Sequence, residues 1–487
     1  MTARSLLSIA MAMGLYLGAG LGITSFVPLL RSGSRAVRLA WAYLLGVAWM
    51  GSGAYACSHV LHLTLGRKLF VTLAVLPMVL AGLRRWRDRE SGAIRRSPRP
   101  RVGAVPLVAF SFGLVLSSAL YLEALSNPIT DWDGRMTFGP QGRFLNAERT
   151  VDADVFRQGR WWVAHPRYPL LMGLAQLPFL QLLPTPDERV VRPLYATFYP
   201  VFLLLTYGSL GRLVGRTPAA LTTLAAMTIP FLAFFNHGGA SGATSDLPLA
   251  CFWGAGLMLL PRARSSSAGL AGGLLLAACI LTKNEGLPLA LVALLAALLQ
   301  SLVPALRSGP RPNSPGSLLE TGKRLRPLLW TTLVAGAAAA LLIDWRSSIP
   351  NRWDEAYPSL PDLAVLRETV HRLPTIVGEA RQLTFDPKAW AGFWWVAPAL
   401  ILIGASMMRR RVALVPAAGI LGALVLYAIA YGASPWPAAL IVQTTWNRFL
   451  VQMLLPWLAL LGLALSEVCR RARAAGGSSL RAGRPTG

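Results

Sequence analysis

Apolar blocks of roughly 16–25 residues recur along this 487-residue chain, each about as long as a helix that crosses ~30 Å of hydrocarbon. Lipid offers no partner for backbone N–H and C=O groups, so such blocks must close their hydrogen bonds internally, as helices. Between the blocks lie short, Arg-rich loops. Hydrophobic residues make up 54% of the chain and charged residues only 14%, with a mean hydropathy of +0.49. A soluble chain carries about 25% charged residues. The class is therefore a polytopic, all-α integral membrane protein.

Candidate spans fall at about 6–30, 39–62, 69–83, 102–124, 190–211, 217–235, 246–260, 268–282, 286–304, 327–343, 389–406, 412–431 and 446–466. The first block, Leu6 to Leu30, exceeds the ~7–15-residue apolar core of a signal peptide and runs straight into Arg31, so it reads as a retained helix. Basic residues cluster at 84–101, at Arg262 and Arg264, from Arg307 to Arg326, at Arg409 to Arg411 and beyond Arg470. Counting about thirteen crossings puts all these clusters on one side, with the N-terminus outside and the C-terminus cytoplasmic.

The net charge of +26 would by itself suggest nucleic acid, but its confinement to loops between apolar blocks is the positive-inside pattern. No nucleic-acid partner is expected. Cys57, Cys251, Cys279 and Cys469 are scattered, without CxxC or metal-ligand spacing, and read as small buried hydrophobes.

Two long segments then fall outside, at about 125–189 and 344–388. The first contains Leu170 to Leu183, expected as an interfacial helix at the outer surface. The second contains a helix-like run from Leu363 to Gln382. Gly309 to Gly316 reads as a Pro-rich cytoplasmic linker.

The first outer loop begins Asn127-Pro-Ile-Thr-Asp-Trp-Asp133-Gly-Arg135 and continues to Trp161-Trp-Val-Ala-His165-Pro-Arg167-Tyr168-Pro. Two carboxylates one residue apart, where a helix leaves the membrane, suit general-base work or a divalent cation. An Asx-turn in a solvated loop explains them equally well. Asp246 starts a helix, where capping accounts for it. Lys283-Asn-Glu285 sits in a tight hairpin, where solvation accounts for it. Arg448 lies at the start of the last expected span, where snorkelling accounts for it. Together they place carboxylates, a Lys, a His and two Args on one side, at the depth of a lipid phosphate headgroup.

These segments resemble the GT-C superfamily of membrane glycosyltransferases, in particular the bacterial family related to protein-mannosyl and lipid A aminoarabinose transferases. Trp132-Asp133-Gly134-Arg135 resembles the family's essential-Asp segment, and His165-Pro166-Arg167-Tyr168-Pro169 its His-Pro or Lys-Pro-Pro segment. Thr244-Ser-Asp246-Leu-Pro-Leu-Ala resembles the Pro-Asp-Met-Pro-Leu-Ala helix start, and Leu281-Thr-Lys283-Asn-Glu-Gly the Thr-Lys-Gly hairpin. The second consecutive Pro is missing and Asn-Glu interrupts the hairpin motif, which points to a divergent subfamily.

The resemblance implies a GT-C-like bundle over residues 102–466, preceded by extra helices and a basic loop (1–101) and followed by a basic tail (467–487). It further implies an inverting transferase that takes a sugar from a polyprenyl-phosphate donor to a lipid, glycan or protein acceptor in the bilayer. A divalent metal is compatible with Asp-Trp-Asp but not required by the fold. Asp133 is then the candidate base, with Asp131 second. Arg448, Lys283 and Arg167 are candidates for the leaving phosphate, and Arg135, His165, Tyr168, Asp246 and Glu285 for substrate binding. Trp132, Trp161, Trp162 and Tyr168 suit stacking on a sugar, although interfaces favour aromatics anyway. The rival readings are a transporter or lipid flippase, and a glycan ligase or polymerase. A transporter should place charges near mid-membrane and show paired repeats.

Overall fold

The computed structural model describes residues 2–31, 33–89, 103–158, 165–183, 187–234, 238–307, 315–351, 363–405 and 410–482. Every regular element among them is helical. Three helices open the chain, α1 (Ala3–Thr24), α2 (Arg35–His59) and α3 (Arg67–Arg89). Next, α4 (Ala104–Ser126) leads into the first long segment, which holds α5 (Gly139–Glu148) and α6 (Leu171–Leu180). The chain continues through α7 (Glu188–Ala196), α8 (Phe198–Gly211), α9 (Arg216–Met227) and α10 (Asp246–Leu259). After these come α11 (Ser266–Thr282), α12 (Gly286–Arg307) and α13 (Pro315–Ser347). The last four are α14 (Leu363–Thr384), α15 (Phe393–Ala405), α16 (Arg410–Ala433) and α17 (Ala438–Ala482).

Among the described residues, seven helical stretches are long and apolar enough to cross a membrane: Ala3–Thr24, Arg67–Arg87, Ala104–Ser126, Glu188–Gly211, Leu325–Ser347, Val412–Ala433 and Ala438–Arg471. The protein is thus an all-helical, multi-pass membrane protein. The expected spans at 39–62, 217–235, 246–260, 268–282, 286–304 and 389–406 fall on helices outside that group.

Three expectations are corrected. The first block ends at Thr24 rather than residue 30, because Ser25 bonds back to the Gly22 carbonyl and Pro28 cannot continue the ladder. The last span begins at Ala438, not at residue 446. Finally, α6 does not rest on the surface. All ten of its residues are buried, and Tyr16 and Ser8 of α1 donate hydroxyls to its Ala175 and Phe179 carbonyls. A helix that is apolar all round has no polar face to offer an interface, so it packs inside.

Small residues let the first helices approach closely, as in other membrane bundles. A side chain at Gly46 of α2 would sit 1.9 Å from the Tyr16 carbonyl oxygen of α1. Contacts also sort the connections into two ends. At one, Arg212 bonds the Leu29 carbonyl, Arg262 the Ser209 carbonyl at 3.2 Å, and Ser466 the Val214 carbonyl at 3.3 Å. This basic end gathers the loops around residues 29, 212 and 262. At the opposite, loop end, His59 lies 3.0 Å from both Asp152 and Asp344, and the Trp345 indole donates to the Val151 carbonyl at 2.9 Å.

Candidate functional site

The site at the loop end starts from Asp131. Its Oδ1 accepts the backbone N–H groups of Asp133 at 2.9 Å and Gly134 at 3.2 Å, which is the Asx-turn geometry. Asp131 is 2% exposed and is occupied in shaping the turn. The chain then enters the π-helical turn Gly134–Phe138. A side chain at Gly134 would lie 2.6 Å from the Gly242 carbonyl oxygen, so two bare backbones fix the loop against the segment preceding α10.

With the turn set, Asp133 directs its carboxylate to Arg448 of α17, whose Nη2 donates to Oδ2. The other edge of that guanidinium, Nε, donates to Asp246 Oδ2 at 2.8 Å. Asp246 is fully buried and also accepts Lys283 Nζ at 2.7 Å and Gln452 Nε2 at 2.9 Å, both on Oδ1. Lys283 in turn lies 3.1 Å from Glu285 Oε1. Behind them, the Tyr427 hydroxyl donates to Gln452 Oε1 at 2.6 Å and so turns the amide N–H toward Asp246. Three carboxylates thus alternate with two cations from four separate stretches of chain. Buried charges in a low-dielectric interior persist only when paired and hydrogen-bonded in this way.

The bland readings of these residues fail individually. Ser245 occupies the N-cap position, and the Asp246 carboxylate points into the bundle rather than capping α10. Lys283 is 2% exposed, not solvated. Arg448 lies ten residues inside α17, about 15 Å along its axis, and is locked to two carboxylates instead of reaching for the interface.

A cleft of about 640 Å³ opens over this network, lined by Asp131, Trp132, Asp133, His165, Tyr168 and Arg448 with Phe231, Thr244, Trp436 and the first turns of α17. His165 adopts a positive φ of 41° and stacks at a tilt 5.1 Å from Tyr168. Asp246, Lys283 and Glu285 support the cleft floor from behind Arg448. Two expected residues stand apart. Arg135 is exposed on the π-helical turn, and Arg167 bonds Asn351 while its carbonyl accepts from Arg346 at 3.0 Å. Trp161 and Trp162 lie outside the described residues. Among the described residues, no group of three or more His, Cys, Asp or Glu gathers as a metal site.

Sequence reasoning missed Arg192, Glu123, Gln452 and Tyr427. Arg192, 2% exposed on α7, donates to both Glu123 carboxylate oxygens at 2.6 and 2.8 Å. It also reaches the Asn127 carbonyl at 2.7 Å and the Ser241 carbonyl at 2.6 Å. One guanidinium therefore ties the end of α4, where the Asp131–Asp133 turn begins, to the segment before Asp246. An Arg within an otherwise apolar block was the available signal. Comparison with known proteins finds no matching family model, no matching curated protein and no matching solved structure.

Proposed function

We propose that this chain is an inverting glycosyltransferase of GT-C type, moving a sugar from a polyprenyl-phosphate donor to a cell-envelope acceptor at the outer face of a bacterial inner membrane. In this reading the bundle makes thirteen crossings, residues 102–466 form the catalytic unit, and the basic end faces the cytoplasm. The observation that carries it is the pairing of Asp133 with Arg448 at the wall of an open cleft. Inversion needs a proton acceptor on one face of the anomeric carbon and a cation for the departing phosphate on the other, and a donor seated between Asp133 and Arg448 would meet both. As the acceptor oxygen attacks the anomeric carbon, its proton passes to the Asp133 carboxylate. The bond from that carbon to the phosphate oxygen breaks, and the departing phosphate keeps the electron pair. Arg448 offers it a charge-assisted contact, held in place by Asp246.

Asp133 is preferred to Asp131 as the base because Asp131 is committed to the turn. The pair also implies an order of events. A phosphate that engages Arg448 draws the guanidinium from Asp133 and frees the carboxylate to take the proton. His165 and Tyr168 line the same cleft and, in this reading, orient a sugar or acceptor.

The test is release of polyprenyl phosphate from a polyprenyl-phosphate-linked sugar by purified protein supplied with membrane acceptors. Asp133→Asn is expected to lower the rate by about 10²–10⁴-fold, while its thermal midpoint falls less than that of Asp246→Asn because Arg448 keeps its bond to Asp246. Activity retained in Asp133→Asn but lost in Asp131→Asn moves the base to Asp131. Full activity in both variants overturns the mechanism. Wild-type protein that moves the intact donor across a vesicle membrane, without cleaving it, makes the chain a flippase.

A further inference from the structure

Three consecutive residues at the end of α13 each bond a different stretch of chain. Asp344 meets the His59 imidazole at 3.0 Å, and the indole of buried Trp345 donates to the Val151 carbonyl at 2.9 Å. Arg346 differs from both, because its two partners belong to turns that build the cleft. Its Nε donates to the Arg167 carbonyl at 3.0 Å, and its Nη2 to the side-chain carbonyl of Asn284.

The Arg167 side chain stands back from the cleft, but its carbonyl belongs to the turn that the Tyr168 N–H closes onto the His165 carbonyl at 2.9 Å. The first and last residues of that turn, His165 and Tyr168, line the cleft. His165 holds a φ of 41°, a left-handed conformation that a residue with a side chain keeps only where its surroundings impose it. Asn284 lies in a second turn, which the Gly286 N–H closes onto the Lys283 carbonyl at 2.9 Å. Its neighbours Lys283 and Glu285 belong to the ion network behind Arg448. One guanidinium therefore joins a wall of the cleft to the hairpin that supports its floor.

A basic residue in the last turn of a helix is favoured by the helix dipole, and Arg346 occupies such a position on α13. The dipole accounts for the charge. It does not account for a planar fork whose two edges are spent on two separate turns, a geometry that Arg provides and Lys does not. Asn351, just beyond α13, accepts from the Arg167 guanidinium, so the side chain and the carbonyl of Arg167 are both held from the end of one helix.

We propose that Arg346 is a positioning residue, holding the His165–Tyr168 turn in register with the Lys283 hairpin, so that the end of α13 sets the shape of the cleft. The tie stands on geometry alone, whereas its effect on catalysis rests on the transferase reading.

Amide hydrogen exchange of the full chain in detergent tests the tie, and release of polyprenyl phosphate from a polyprenyl-phosphate-linked sugar tests its effect. Arg346→Met keeps an aliphatic stem and loses both donors. It is expected to speed exchange about tenfold in peptides covering Tyr168 and Gly286, through local opening of both turns. Val151, whose amide donates to the Ser58 hydroxyl at 3.1 Å and whose carbonyl stays with Trp345, should exchange as in wild type. Asn284→Ala releases the hairpin alone and is expected to speed exchange at Gly286 but not at Tyr168. For Arg346→Met, kcat is expected to fall about 10–10²-fold with KM within about threefold of wild type, because a misoriented substrate still meets Arg448. Arg346→Lys recovers part of that loss, and Asp344→Asn, on the same turn of α13, keeps kcat close to wild type. Wild-type exchange at both turns in Arg346→Met overturns the tie. An equal fall of kcat in Asp344→Asn and Arg346→Met overturns the positioning role in favour of general support from α13. Wild-type protein that releases no polyprenyl phosphate overturns the transferase reading, and the exchange measurement then decides by itself whether Arg346 holds the two turns.

Discussion

At the loop end, Asp133, Asp246 and Glu285 share Arg448 and Lys283, whereas at the basic end Arg212 and Arg262, among the described residues, bond backbone carbonyls rather than carboxylates. Both ends carry arginines close to apolar helices, yet the arginines arose under different constraints. Exposed loop charge of this kind acts through its total on one side of a membrane, so the exact positions of the basic-end arginines matter little to folding. Loop-end charge sits inside the bundle, where each member exists only because its neighbours do. An ion network that is built at such cost, and opens onto a cleft, marks a site.

The comparison can be broken by substitution. The largest stability effect belongs to Asp246→Asn, which takes from Lys283 and Arg448 the fully buried carboxylate they share. A loss of about 3–5 kcal/mol is expected, read as a lowered thermal midpoint in detergent. Arg192→Lys keeps the charge but not the fork that reaches Glu123, Asn127 and Ser241 together, and is expected to cost about 1–3 kcal/mol. Because that fork joins the Asp133 turn to the Asp246 segment, the proposed transferase activity is expected to fall further than the unfolding shift alone accounts for. Gln452→Leu removes one donor from Asp246 and leaves the Tyr427 hydroxyl unanswered, for about 1–2 kcal/mol by the same measurement. Smallest is Arg216→Gln at the exposed basic end, expected within about 0.5 kcal/mol of wild type. If Arg216→Gln destabilises as much as Asp246→Asn, the two ends are not distinct in kind.

Sequence reasoning reached the all-helical, multi-pass character because lipid imposes it locally. A run such as 412–431 must be helical wherever it occurs in a membrane. It also reached most of the network's members, since charges beside apolar blocks are conspicuous. The partnerships were out of its reach. Asp246 offered a capping explanation and Arg448 a snorkelling one, and only the 202-residue contact between them makes both explanations unnecessary. Residues such as Gln452 and Tyr427 were invisible for a related reason. A buried amide and phenol on membrane helices look like interface residues until their hydrogen bonds are traced. Depth was misjudged for Arg448 because hydropathy places a span where its apolar centre lies, while α17 starts eight residues earlier, at Ala438.

The hairpin at Lys283 has a practical consequence for mapping sidedness. Reporter enzymes are commonly spliced into short turns between spans, and this three-residue turn invites one. Splicing there would pull an ammonium group off a buried carboxylate, and a silent fusion would report collapse rather than location. The turn between α2 and α3 at Leu61–Leu63, exposed and away from the Asp246 cluster, is where a reporter should go.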